Sequence, residues 1–97
     1  MSEQVLVSDY IAEFLARAGV PAVFEMSGGM IARLLDSLYR LGETRVVSMH
    51  HEQSAAFAAE GWAKVTREVG VAAVTAGPGV TNAATALAQA QSGDSPM

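Results

Sequence analysis

The spacing of apolar and polar residues along the chain predicts four helices and three short strands. In the first predicted helix, the apolar residues recur at i, i+3, i+4 and i+7, which is the spacing of one buried helical face. Ser8 is a candidate N-cap for this helix, and Gly19 supplies a C-terminal stop. The residues of the apolar face are Ile11, Phe14, Leu15 and Ala18.

Three apolar runs predict the strands, and each run is followed by a loop and a helix. The predicted strands are 22–26, 45–49 and 71–76, and the helices after them are 30–41, 52–64 and 80–90. Thr81 or Asn82 is expected to begin the last helix. Alternating strands and helices imply right-handed crossovers, so we predict an α/β fold, a parallel sheet with helices on both faces. Residues 94–97 resemble the approach to another strand, so we expect residues 1–97 to be the N-terminal portion of a larger domain.

The composition indicates a globular protein, with 51% hydrophobic and 16% charged residues among 97. A net charge of −4 with scattered basic residues argues against a nucleic-acid partner. No apolar run approaches the ~20 residues that span a bilayer, and the N-terminus lacks the pattern of a secretory signal. The absence of cysteine fits a reducing compartment. We therefore expect a cytoplasmic protein without a membrane partner.

The candidate chemistry begins at the stretch 46–64, where a strand runs into a helix through His50, His51 and Glu52. Ligands of open α/β sheets bind at the carboxyl ends of the strands, which makes Glu52 the leading candidate for a functional residue. Alternatively, Glu52 only complements the helix dipole, which contributes about 0.3–1 kcal/mol. A metal site formed by the three adjacent side chains is disfavoured, because neighbouring residues point in different directions.

Two glycine-rich loops accompany this junction, one at Ser27, Gly28 and Gly29 and one spanning 75–82, TAGPGVTN. Such a loop can hold an anion against a helix N-terminus, although a rigid turn is the simpler alternative. The second loop matches neither the GxxxxGK[ST] nor the GxGxxG nucleotide-binding pattern. All three segments follow predicted strands and are expected to line one edge of the sheet.

The order EMSGGMIARLLDSLYRLG, MHHEQSAAFAAEGWAK and GVAAVTAGPGVTNAATALAQA closely resembles the pyrimidine-binding domain of thiamine diphosphate enzymes, and by eye the acetolactate synthase-like group. The resemblance extends over about residues 7–97. It implies the thiamine diphosphate-binding fold, with thiamine diphosphate as cofactor. It also implies an enzyme, a transferase or lyase, that decarboxylates a 2-oxo acid and ligates the product. Simple 2-oxo acid decarboxylation or another lyase reaction of the family is the alternative.

The resemblance assigns roles to individual residues. Glu52 matches the glutamate that hydrogen-bonds the aminopyrimidine ring and activates the cofactor, for which its carboxyl group should be shielded from water and have a raised pKa. His51 precedes this glutamate as a basic residue often does, and a helix-capping role is equally open. The residues that match the loop beside the ring are Gly77, Pro78, Gly79 and Asn82. The residues that match the substrate-side loop are Ser27, Gly28 and Gly29.

The chain also departs from the family pattern. Positions 25–27 read Glu-Met-Ser where Gly-x-Pro is more usual, which leaves substrate specificity open. The Gly-Asp-Gly motif that holds the diphosphate and Mg²⁺ is absent, since 93–95 read Gly-Asp-Ser with no following asparagine. The resemblance thus implies Mg²⁺ bound by a missing domain or subunit, or a site shared in a homo-oligomer, and it leaves FAD open. The isolated chain is expected to be inactive.

Two rival interpretations belong to other functional classes. In the first, the chain is a truncated, non-catalytic interaction module, which the alanine-rich third helix would suit. In the second, it is a flavodoxin-like or other nucleotide-binding α/β domain.

Overall fold

The structure, a computed structural model, describes residues 6–97. The helices are α1 (Val7–Arg17), α2 (Ala32–Leu41), α3 (Glu52–Thr66) and α4 (Pro78–Ser92). The strands are β1 (Ala22–Glu25), β2 (Arg45–Ser48) and β3 (Val71–Ala73), and a 3₁₀ turn, Gly29–Ile31, precedes α2. All strand pairs are parallel, and β1 lies between β2 and β3. The predicted α/β fold is confirmed.

The alternation of side chains along β3 shows that helices cover both faces of the sheet. Val71 and Ala73 pack with a core that includes Ala12 of α1 and Leu38 of α2. Ala72 lies between them and packs with buried alanines of α3 and α4, namely Ala56, Ala83 and Ala86. Because successive residues of a strand point to opposite faces, α1 and α2 lie on one face and α3 and α4 on the other.

Alanine allows α3 and α4 to pack closely on their face of the sheet. Ala55, Ala56, Ala59 and Ala63 of α3 are all fully buried. An aromatic pair also joins α3 to the sheet, since the ring centroid of Trp62 in α3 lies 6.3 Å from that of Phe24 in β1. The alanine-rich stretch is therefore both a good helix-former and a contact surface.

The N-cap prediction for α1 is wrong. Leu6 occupies the N-cap and makes no side-chain capping bond, so Ser8 lies inside the first turn. Its hydroxyl is instead 3.0 Å from the hydroxyl of buried Ser37 in α2. Packing between α1 and α2 therefore determines where this serine lies. Gly19 does end the helix, with a φ of 77°.

The predicted start of α4 is also wrong. The helix begins at Pro78, three residues before Thr81. Gly77, with a φ of 72°, turns the chain into the helix, and proline suits the first helical position because its fixed φ is helical and it lacks an N–H. Neither Thr81 nor Asn82 is the cap. The Thr81 hydroxyl instead donates to the Pro78 carbonyl at 3.2 Å.

The strands are one to three residues shorter than predicted, because the chain leaves the sheet as soon as each loop begins. The C-terminal residues lie beside the start of β3: the N–H of Gly70 donates to the carbonyl of Pro96 at 2.8 Å. Ser95 also donates to Glu60 of α3 at 3.1 Å. Within residues 6–97, no helix is both long and apolar enough to cross a lipid bilayer.

Candidate functional site

The three segments singled out in the sequence meet at the carboxyl edge of the sheet, because the strands they follow are parallel. The substrate-side loop, Ser27 to Gly29, follows β1, the His50–His51 junction follows β2, and the loop 74–77 follows β3. The N–H of Met26 donates to the carbonyl of Ala73 at 3.2 Å, and the N–H of Met49 donates to the carbonyl of Glu25 at 2.8 Å. These bonds extend the strand pairing up to the loops.

Glu52 is the first residue of α3, and it faces α4 across the end of the sheet. Its Oε1 accepts a hydrogen bond from Nδ2 of Asn82 at 3.2 Å. Its Oε2 lies above Gly79, where a Cβ atom would be 3.6 Å away. The structure thus brings together Glu52, Gly79 and Asn82, three of the residues selected from the sequence. Gly77 and Pro78 shape the turn that presents them.

The Thr75 side chain lies close to both glycine-rich loops, although it is not among the residues predicted from the sequence. A Cβ atom on Gly28 would be 2.6 Å from Cβ of Thr75, and one on Gly79 would be 3.1 Å from Cγ2 of the same side chain. The close approach of Thr75 therefore requires glycine at position 28 and leaves little space for a side chain at position 79. Its position at the start of TAGPG was the available signal, but only the fold shows that the substrate-side loop reaches it. Gly29 has no such neighbour, since nothing lies within 4 Å of a Cβ built there.

His51 is the N-cap of α3. Its Nδ1 accepts a hydrogen bond from the N–H of Gln53 at 2.9 Å, which satisfies one of the free donors at the helix start. The capping role that the sequence left open is therefore observed. Over residues 6–97, no group of three His, Asp or Glu side chains could hold a metal ion.

The electrostatics of Glu52 differ from the expectation. The N–H of its own backbone, then the Asn82 side chain, and then the nearby His51 lower the pKa of the Glu52 carboxyl, and these effects outweigh partial burial. The expected raised pKa and shielding from water are wrong for this chain. The reason is that Glu52 is only half-buried and its neighbours donate hydrogen bonds, which stabilise the anion.

A groove opens on the other side of the substrate-side loop. It is shallow and open to solvent, with a volume of about 560 Å³. The loop residues form one wall and α2 forms the other, through Ala32, Leu35, Asp36 and Tyr39. The substrate-side loop therefore separates this groove from the residues around Glu52.

Comparison with known proteins decides the family of this site. The family described as thiamine pyrophosphate enzyme, N-terminal TPP binding domain, matches residues 6–97. The chain belongs to this family. The resemblance inferred from the three motifs is confirmed, and so is the fold class that it implied.

Relatives of this thiamine pyrophosphate enzyme domain include two kinds of enzyme. The chain is 51% identical over 87 residues to an acetolactate synthase large subunit of Mycobacterium tuberculosis, covering 90% of the chain and 16% of that protein. It is 47% identical over 87 residues to human 2-hydroxyacyl-CoA lyase 2, covering 90% of the chain and 14% of that protein. An acetolactate synthase of Mycobacterium avium is 40% identical over 95 residues, 98% of the chain and 15% of that protein. The chain thus spans about one-sixth of the length of these relatives.

The residues of the domain fit the aminopyrimidine part of the cofactor. Glu52 offers a carboxylate whose Oε2 lies 3.6 Å from where a Cβ on Gly79 would be, so the glycine adds no side chain beside that oxygen. Asn82 fixes the orientation of the same carboxylate. A carboxylate oriented by the Asn82 amide and by its own backbone N–H can share a proton with a ring nitrogen.

Proposed function

We propose that this chain binds the aminopyrimidine ring of thiamine diphosphate through Glu52. In this proposal it is part of a longer enzyme that decarboxylates a 2-oxo acid and ligates the product to a second substrate molecule. The observation that carries the proposal is the Glu52 carboxylate, fixed by Asn82 and lying over Gly79 at the carboxyl edge of the sheet, in a chain of this family.

Each site residue has a defined task in the proposal. The Glu52 carboxyl group would share a proton with the ring, while Asn82 holds Oε1 and so orients the carboxyl plane. Gly77 and Pro78 would set the turn beside the ring, and Gly79 would present no side chain to it, with Thr75 packed against Gly79. Thiamine diphosphate, when bound, supplies the chemistry that breaks and forms the bond beside a carbonyl carbon.

The lowered pKa of Glu52 is compatible with this role only if the site is covered. Exclusion of water from a carboxylate disfavours its charged form and raises its pKa. We therefore propose that a second domain or subunit covers Glu52 and also holds Mg²⁺ and the diphosphate. The six basic residues of the chain support this inference, because none lies in the loops around Glu52. FAD and a cytoplasmic location stay predictions.

A second candidate is cleavage of a 2-hydroxyacyl-CoA. The observation in its favour is that four vertebrate relatives named 2-hydroxyacyl-CoA lyase 2 match 87 residues at 47–49% identity, close to the 51% of two mycobacterial acetolactate synthase relatives. In this proposal the residues around Glu52 bind the same cofactor in either reaction. The apolar groove beside the substrate-side loop would favour the lyase if it held an acyl chain.

The test is isothermal titration calorimetry of the full-length protein with thiamine diphosphate and Mg²⁺, followed by product analysis. Pyruvate is supplied in one assay and a 2-hydroxyacyl-CoA in the other. We expect the Glu52→Gln variant to lose about 10²–10⁴-fold in turnover, the usual contribution of a proton-transferring side chain. Acetolactate as the product supports the first candidate, and a free aldehyde from the thioester supports the second.

The matched control is Glu68→Gln, which removes an exposed carboxylate beyond the end of α3. It should bind the cofactor and turn over like the wild type. Absence of thiamine diphosphate binding by the wild-type protein, or a Glu52→Gln variant as active as the control, would refute the proposal.

A further inference from the structure

Glu25 is a buried carboxylate that the proposed chemistry does not use. It lies at the carboxyl end of the central strand β1 and is 1% exposed. Within residues 6–97, the ion pairs involve Asp9, Asp36 and Glu60, and none involves Glu25. Among the residues that the structure describes, the donors to its carboxylate are the hydroxyl groups of two serines.

These hydroxyl groups come from two different segments of the site. Ser27 of the substrate-side loop donates to Oε1 at 3.0 Å, and Ser48 at the end of β2 donates to Oε2. The Glu25 carbonyl also accepts the N–H of Met49 at 2.8 Å. One residue therefore ties the substrate-side loop to the strand that leads into Glu52.

Fold stability alone does not explain a glutamate at this position. Burial of a carboxylate without a cation is unfavourable, and hydroxyl donors offset only part of that cost. Val23, two residues earlier on the same face, fills its place with an apolar side chain that is 1% exposed. An apolar residue at position 25 would avoid the cost but would leave both serines without their acceptor.

The loop that Glu25 holds is constrained on both sides. Gly28 touches Thr75, where a Cβ atom would be 2.6 Å away, and Ser27 to Gly29 form a wall of the groove along α2. The N–H of Ile31 donates to the Gly28 carbonyl at 3.2 Å, which connects the loop to the start of α2. A small displacement of Ser27 would change both the groove and the space beside Glu52.

We propose that Glu25 is a positioning residue that fixes the substrate-side loop through Ser27, and so sets the shape of the substrate entrance. The claim about the substrate entrance rests on the proposed function, whereas the claim that Glu25 fixes the loop does not. The sequence Glu-Met-Ser at 25–27, where Gly-x-Pro is more usual, then contributes to the substrate specificity of this chain.

The first measurement is hydrogen exchange of the full-length protein by mass spectrometry, without added cofactor. In Glu25→Ala and in Ser27→Ala we expect the Ile31 amide and its neighbours in the loop to exchange at least about 10-fold faster, since local order there depends on the bond. Glu25→Gln should remain near wild type, because an amide can accept from one serine and donate to the other. Glu43→Gln, an exposed carboxylate before β2, is the matched control.

The outcomes separate a positioning role from a structural one. Faster exchange confined to residues 26–31 supports the proposal, whereas unchanged exchange, or faster exchange spread equally over β3 and α4, overturns it. If Glu25→Ala fails to fold, Ser27→Ala decides the question, because it removes only the bond from the loop.

Kinetics then test the link to substrate. In Ser27→Ala we expect the KM for pyruvate to rise about 10-fold or more, with thiamine diphosphate affinity unchanged. An equal loss in cofactor affinity would contradict the positioning role. If wild-type protein binds no thiamine diphosphate, the proposed function fails, and the exchange result still decides what Glu25 does to the loop.

Discussion

Three neighbouring groups lower the pKa of Glu52: its own backbone N–H, the Asn82 amide and His51. Of these, the Asn82 amide can be removed by a single substitution. Asn82 donates to Oε1 at 3.2 Å and contributes to the lowered pKa of Glu52. We expect Asn82→Ala to move this pKa upward, because the anion loses a donor while the bond from its own backbone remains. Carboxyl ¹³C chemical shifts during an NMR pH titration measure it. Thr81→Ala, an exposed neighbour whose hydroxyl bonds Pro78, should leave the pKa where it is.

Three glycines of the site should respond differently to alanine. Gly28→Ala meets Cβ of Thr75 at 2.6 Å and should cost about 1–3 kcal/mol, and Thr75→Ser should not rescue it because serine keeps that atom. The one tight contact of Gly79→Ala is with Cγ2 of Thr75 at 3.1 Å, so Thr75→Ser should relieve it. Gly29→Ala has nothing within 4 Å and serves as the control. Urea denaturation measures each variant, and rescue of both crowded glycines would contradict this account.

Single residues could be selected from the sequence, but their environments could not. Glu52 was predictable because a polar residue between an apolar run and a helix marks the carboxyl end of a strand. The direction of its pKa shift depends on Asn82, thirty residues away, and on a helix start that aims the backbone N–H at the carboxylate. Thr75 had no chemical signal of its own, since its importance is a distance to two glycines.

At the scale of elements, glycine-to-alanine substitutions within α3 and just before β3 are expected to change the stability of the fold in opposite directions. Gly61 lies inside α3 with open space around its Cα, so Gly61→Ala should stabilise the fold by about 0.5–1 kcal/mol. Gly70 precedes β3 directly against α3, and a Cβ there would be 2.1 Å from the Ala59 carbonyl oxygen. Gly70→Ala should therefore cost at least about 3 kcal/mol. Thermal unfolding followed by circular dichroism compares them, and equal effects would mean that β3 can move away from α3.

The elements themselves followed from hydrophobic spacing, but several of their ends did not. The face of α1 was legible because its apolar residues repeat at helical spacing. The prediction of Ser8 as the N-cap was wrong because a serine near a helix start looks the same in sequence whether it caps the helix or bonds to a neighbouring one. Here Ser8 accepts a hydrogen bond from Ser37 of α2. Pro78 was the better start signal for α4, since proline is favoured at the first helical position.

At the scale of the whole molecule, carboxylates link the fold to pH. The pKa of Asp9 is lowered by Ser37 and Arg40, that of Glu60 by Lys64 and Ser95, and that of Glu52 as described. Each group stabilises the folded state above its ordinary value, 3.8 for Asp9 and 4.5 for the glutamates, and loses that contribution as pH falls through its lower folded value. The thermal midpoint should therefore decrease as the pH is lowered below about 4.5.

Asp9→Asn tests this pH dependence. It removes one of the three shifted carboxyl groups, so the fall in thermal midpoint on acidification should become shallower. A midpoint that rises as the pH is lowered, or a slope unchanged in the variant, would show that other groups control acid unfolding.

The architecture as a whole was predictable because strands and helices alternate without interruption, which leaves few ways to arrange them. What the sequence could not provide is the degree to which Glu52 is enclosed. The chain spans about one-sixth of its relatives, and Glu52 is half-buried rather than enclosed. The partner that covers Glu52 therefore stays a proposal, and so does the rival interaction module.

The contact between Trp62 and Phe24 has a practical consequence. Trp62 is the single tryptophan of the chain, and its ring rests 6.3 Å from a side chain of the central strand. Its fluorescence emission therefore reports whether α3 is seated on the sheet, without any label. A red shift that precedes the loss of circular dichroism would reveal that α3 separates from the sheet before the helices unwind.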